Sequence, residues 1–212
     1  MGYDPSETNN DYIIIIGIIT NNGNNVKRYS MPGSKVDLIF HPIRLDIISA
    51  LSTQQMTAKE LVQIIPSVPL TTLYRHINLL VEGGLLEVVE EHPVRGTVER
   101  VYALAGPPSL HAEDLEGMTK KDYEQSFAIY LSSLLSDAKN YLATKPDDQA
   151  IDLFADGVEV TKLQLLLSDE EFHTLNAQIS EMIMSATKNG PAPDRKRRVF
   201  SYVFIPVGNR GD

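Results

Sequence analysis

Between Thr57 and Leu104 four structural signals follow one another with almost no slack, and that stretch limits what the chain can fold into more than any other. TAKELVQII opens with Thr57 three residues before Glu60, the reciprocal capping pair that starts a helix, and Pro66 closes it. Pro69, at the end of PSVP, suits the first turn of a second helix, where its missing N–H costs nothing. LTTLYRHINLLVE then runs into Gly83-Gly84, a helix stop. Leu86 to Glu91 and Glu99 to Leu104 read as Val-bearing strands joined by a loop that holds Pro93 and Gly96. Upstream, Val36, Ile39, Phe40, Ile43, Ile47, Ile48 and Leu51 recur at helical steps, with Pro42 kinking the pattern or splitting it in two.

Short helix, turn, helix and hairpin in that order suit a winged helix-turn-helix, a unit that sets its second helix in a DNA groove. Turned at about 100° per residue, that helix gathers Leu70, Leu73, Ile77, Leu80 and Val81 on a core side. Thr71, Arg75 and Asn78 fall opposite, with Thr72 and Leu79 nearby, and Tyr74 and His76 take the flanks. Hydroxyls and free amides at a helix N-terminus hold phosphate, while Arg or Asn reads base edges in bidentate fashion. A packed flank position explains His76 more simply than a DNA contact does, and Tyr74 divides evenly between core edge and phosphate contact. At the hairpin, Arg95-Gly96 puts a cation on the tip, as a minor-groove or phosphate contact requires. Arg100 on the returning strand has two readings, a reach to the DNA backbone or a cross-strand ion pair with Glu87, Glu90 or Glu91.

HPIRLDIISALS, TAKELVQII, PSVPLTTLYRHINLLVEGGLLEVVEE and RGTVERVYAL together resemble the arsenical-repressor-type (ArsR-like) winged-helix transcription regulators. The likeness covers about residues 36–105 and is nearest to the cysteine-free branch with a helix–strand extension. It implies that TTLYRHINLL is the recognition helix, with Thr71, Thr72, Tyr74, Arg75 and His76 facing DNA, and that RGTVER is the wing, with Arg95 at its tip. It also implies a homodimer on an inverted-repeat operator of double-stranded DNA. The cysteine pair of the family's metal sensors is absent, so metal sensing of that kind is not expected.

The expected fold class is α+β. Residues 1–34 form an extension, either an edge strand or a mis-assigned start. Residues 35–105 form the winged helix-turn-helix, and 106–212, beyond Gly106-Pro107-Pro108, a dimerisation or effector-binding region. In the last, a long helix from Thr119 to Thr144 precedes a β-α-β segment: Val158 to Leu165, a helix opened by Ser168 and Glu171, and VFSYVFIPV. The long helix carries a wide apolar stripe suited to a dimer contact, or to packing within the chain. Phe127, Tyr130, Tyr141, Phe154, Phe172, Phe200, Tyr202 and Phe204 suit either a small-molecule effector pocket or ordinary packing.

Charge cuts against indiscriminate nucleic-acid binding: the net is −9, and residues 35–105 hold six Lys and Arg against eight Asp and Glu. The one dense cationic run, Arg195 to Arg198, reads first as a solvated loop. No cysteine is present, which excludes disulfides and thiolate metal sites. No apolar run has membrane-spanning length, so a cytoplasmic protein is expected. The five histidines show no metal-ligand spacing, and no phosphate loop or nucleophile motif stands out, so neither an enzyme nor a cofactor or metal site is expected. The sequence thus favours a sequence-specific DNA-binding regulator, a homodimeric repressor with helix 69–82 in the major groove and wing 92–98 on the flanking minor groove or backbone. The alternative is a winged-helix protein–protein module without DNA binding.

Overall fold

A computed structural model describes residues 34–94, 96–106 and 108–208; the expectations placed on residues 1–33 and on Arg95 lie outside them. Pro42 splits the first helical stripe into α1 (Lys35–Ile39) and α2 (Pro42–Leu51). Helix α3 (Ala58–Ile64) begins at the expected box: the Glu60 amide donates to Thr57 Oγ1 at 3.2 Å, and the Thr57 amide donates to the Glu60 carboxylate at 2.7 Å. Helix α4 (Leu70–Glu82) starts at Pro69 and stops at Gly83.

The sheet has three antiparallel strands in the order β1-β3-β2, formed by β1 (Met56–Thr57), β2 (Leu86–Val94) and β3 (Thr97–Leu104). Strand β1 carries no alternation to read, being only two residues long, yet it pairs Met56 with Tyr102 and Thr57 with Val101. Strand β2 runs past the expected end at Glu91 and through Pro93, opposite Val98. An edge strand tolerates that proline because its missing N–H would face solvent. The hairpin closes where Gly96 takes φ +84°, a left-handed conformation that glycine adopts without steric cost.

One core lies between α1–α4 and the sheet. Ile39, Ile47, Ile48, Leu61, Leu73, Ile77 and Leu80 are fully buried in it, so the expected inner face of α4 holds at three of its five positions. Val81 is half-buried and Leu70 lies exposed at the first turn, beyond the reach of the packed helices. The expected boundary at Gly106 does not end this core. Leu110 and Leu115, the latter in a single 3-10 turn (Ala112–Leu115), seal the same cluster.

Helix α5 (Lys120–Leu142) opens on a Thr119–Asp122 capping box and crosses α2. Ile129 and Tyr130 pack on the core, and Ser133 Oγ donates to Asp46 Oδ1 at 3.0 Å. Helix α6 (Asp169–Thr187) opens on the Ser168–Glu171 box. The strands expected on either side of α6 are a correction: among the described residues, 158–165 and 199–207 join no ladder. Alternating side chains make a strand only beside an edge that can accept its hydrogen bonds. Here 199–207 is held by side chains instead, Tyr202 donating to Asn176 Oδ1 at 3.1 Å and Phe204 meeting Phe172 edge-on at 5.3 Å.

Candidate nucleic-acid interface

Helix α4 offers its N-terminus and one face to solvent. Pro69 supplies no side-chain cap and no acidic residue stands in the first turn, so the amides of that turn keep their partial positive charge. Thr71, Arg75 and Asn78 are exposed and Thr72 is half-exposed, on one continuous face. Among the described residues nothing from the C-terminal half closes over it. Tyr74, 38% exposed, stands beside α3 and the sheet, near Lys59, whose pKa is raised first by Glu99, and near Tyr102, whose pKa is raised first by burial, with Tyr74 adding to both. Lys59 itself is tied to Glu99 of β3 at 2.8 Å, fixing α3 to the hairpin.

His76 departs from the DNA-facing set: it is 3% exposed and turned inward. Its ring lies 4.5 Å from that of His41, the residue that begins α2. Burial, then the neighbouring His41, Arg75 and Arg44, lower its pKa from the ordinary histidine value to about 4. His41 is lowered by burial first, then by Arg44 and Arg75. These neighbours went unassigned in the sequence because His41 and His76 meet only after α2 folds back on α4. HPIRL was the one trace of them.

In the hairpin Arg100 takes the second of its two readings. Its Nε donates to Glu91 Oε1 at 2.9 Å, across the register that pairs those residues. Glu87, Glu90 and Glu91 leave β2 acidic along its exposed edge, with His92 against Glu90 at 3.0 Å. Two side chains of the Arg195–Arg198 run are engaged with backbone: Arg195 donates to the Gly190 carbonyl at 2.6 Å and Arg198 to those of Asp156 and Gly157 at 3.1 Å.

In the C-terminal half Phe172, Phe200, Tyr202 and Phe204 pack against one another at tilted or edge-on angles. Phe200, Tyr202 and Phe204 follow in sequence with ring separations of 5.6 and 5.7 Å, whereas Phe154 is almost wholly exposed. Among the described residues no group of three or more His, Asp and Glu side chains gathers as metal ligands, and no helix is long and apolar enough to cross a membrane.

Against known families, residues 39–89 match the model of a helix-turn-helix domain, the segment from the end of α1 to the middle of β2. The chain carries a helix-turn-helix domain. This domain holds α3 and α4 at its centre, and it supports a DNA-binding regulator built on a winged helix. No curated protein matches the chain.

Proposed function

We propose that this protein is a sequence-specific transcription regulator, a homodimeric repressor of the ArsR-like kind that acts in the cytoplasm on an inverted-repeat operator. The observation that carries the reading is the open face of α4: two threonines and uncapped amides at its N-terminus, then Arg75 and Asn78, on a helix anchored behind by Leu73, Ile77 and Leu80. Arg75 and Asn78 read base edges, while Thr71, Thr72 and Tyr74 hold the flanking backbone. Arg100, paired with Glu91, contributes to wing shape more than to phosphate binding.

The dimer is supported by α5. Phe127, Leu131, Leu134, Leu135 and Leu142 recur at helical steps and stay exposed, Leu131 and Leu135 by more than half. A second copy laid on this stripe would give the two-fold symmetry that an inverted-repeat operator requires. An effector that alters that packing is the regulatory element the reading calls for.

Selection of bound duplexes from a random library tests it. Recovery of an inverted repeat is the expected result. Affinity then falls steeply with salt, and Arg75→Ala loses about 1–3 kcal/mol on the selected site and relaxes preference at one position per half-site. Recovery of nothing at low salt overturns the reading in favour of a protein partner for α4, which the acidic edge of β2 would suit.

A further inference from the structure

Four basic side chains converge where the start of α2 meets the middle of α4: His41, Arg44, Arg75 and His76. The two imidazole centroids lie 4.5 Å apart with the rings tilted by 41°, and Arg75 Nη2 lies 3.4 Å from His76 Nε2. Arg44 and Arg75 both act on both histidines, and each disfavours a proton there. Such a gathering is costly, since like charges brought together away from water repel. Yet no carboxylate comes within ion-pair distance of Arg44 or Arg75 among the described residues. Arg44 instead donates through Nη2 to the backbone carbonyl of Asp37, whose side chain is the one acidic group it feels.

The cluster also holds unused hydrogen-bonding capacity. His41 Nδ1, Arg44 Nε and His76 Nδ1 are each buried without a protein partner. His76 is the strongest case, with its side chain almost wholly enclosed. His41 begins α2 but does not cap it with its side chain, and the first turn of α2 carries no acidic residue. Buried polar groups in folded proteins are nearly always satisfied, so three orphans at one point mark a place with capacity for a further partner, and of these side chains His41 and Arg44 are only half-buried and within reach of an anion from solvent. The point lies beside Arg75, at the margin of the open α4 face.

We infer that His41 and Arg44, backed by the enclosed His76, form a clamp for one phosphodiester of the DNA backbone, with Arg75 at its rim, seating α4 in register in the groove. The inference rests on the DNA-binding reading above and names a contact that the outward face of α4 does not contain. The clamp is sequence-blind, as phosphate contacts are, and its work is positioning. It adds a cation from outside the recognition helix to an interface otherwise short of positive charge.

The test uses the full chain and two measurements. In the first, duplex affinity is followed against salt for wild type and Arg44→Gln, on the selected operator and on an unrelated duplex. Arg44→Gln is expected to weaken both duplexes by a similar factor and to lower the slope of log K against log salt by about one. In the second, the ring signals of the five histidines in the wild-type protein are followed by NMR as duplex is added, which needs no variant to fold. His41 and His76 are expected to move together, and more than His111 and His173. Wild-type salt slope in Arg44→Gln, or unmoved His41 and His76 signals while duplex binds, overturns the clamp and leaves the DNA-binding reading standing. Absence of duplex binding by wild type at low salt removes both.

Discussion

Every buried apolar side chain among the described residues lies between Val36 and Leu115, whereas from Thr119 to Gly208 the buried side chains are Ser126 and Ser180 alone. The two regions are equally able to form capped helices. They differ in whether an apolar stripe finds something to cover it. In the first, α4 turns Leu73, Ile77 and Leu80 onto α2, α3 and the sheet, and burial there supplies the stability that a short helix lacks by itself. In the second, α5 has a longer stripe that meets the core only through residues such as Ile129 and Tyr130. The helix–turn–hairpin unit closes its own core, while the α5 stripe stays largely open within the chain.

The contrast breaks most readily at Ile77 and Leu135. Ile77→Ala, inside the fully buried cluster, is expected to cost about 2–5 kcal/mol and to appear as a large drop in the denaturant midpoint. Leu135→Ala, at a half-exposed site, is expected to stay within about 0.5 kcal/mol in a monomer. Should Leu135→Ala instead shift the sedimentation profile and make the midpoint depend on protein concentration, α5 is covered by a second copy. Equal losses at the two positions in a monomer would erase the distinction between the regions.

Capping sharpens it further. Thr57→Ala and Thr119→Ala each remove a side-chain acceptor from the first turn of a helix, a loss of about 1 kcal/mol apiece. Because α3 is part of the closed core, Thr57→Ala is expected to lower the cooperative melting midpoint by roughly 2–4 °C. For Thr119→Ala, faster amide exchange confined to the start of α5 is the expected signature. A global melting shift from Thr119→Ala as large as that from Thr57→Ala would join α5 to the core.

The smallest effect is one of pH. His76 in the folded state has its pKa lowered to about 4, so the unfolded chain takes up the proton first. The stability this contributes is whole above the ordinary histidine value of 6.5 and is lost as pH falls from there toward 4. Asp46 and Asp137, which face each other between α2 and α5, act oppositely. Burial raises both, with Asp46 adding to the shift at Asp137, so their protonation favours the folded state in acid. Subtracting the His76→Gln melting curve from that of wild type isolates the first contribution. A difference unchanged between pH 7 and 4.5 would mean that His76 is protonated in the folded protein.

Much of the first region was legible because its signals are local. A Thr three residues before a Glu, a proline inside a helical stripe, and paired glycines after one act within a turn or two of chain, and α2, α3 and α4 begin and end beside them. The outward set of α4 was legible for the same reason at Thr71, Arg75 and Asn78. It failed at His76, because a flank position is decided by what packs there, and His41 packs there. Strand β1 escaped notice because two residues carry no period. The segments 158–165 and 199–207 carried a period without a ladder, since alternation is a property of one segment and hydrogen bonding a property of two.

Sequence alone determined where α3, α4, α5 and α6 start and that Thr71, Arg75 and Asn78 turn away from the core, because capping and periodicity are short-range. Tertiary structure alone decided that Arg100 is paired with Glu91, that the core extends past Gly106 to Leu115, and that His41, Arg44 and His76 meet beside Arg75. Those depend on residues far apart in the chain becoming neighbours, and no local pattern encodes a distance that folding has yet to close.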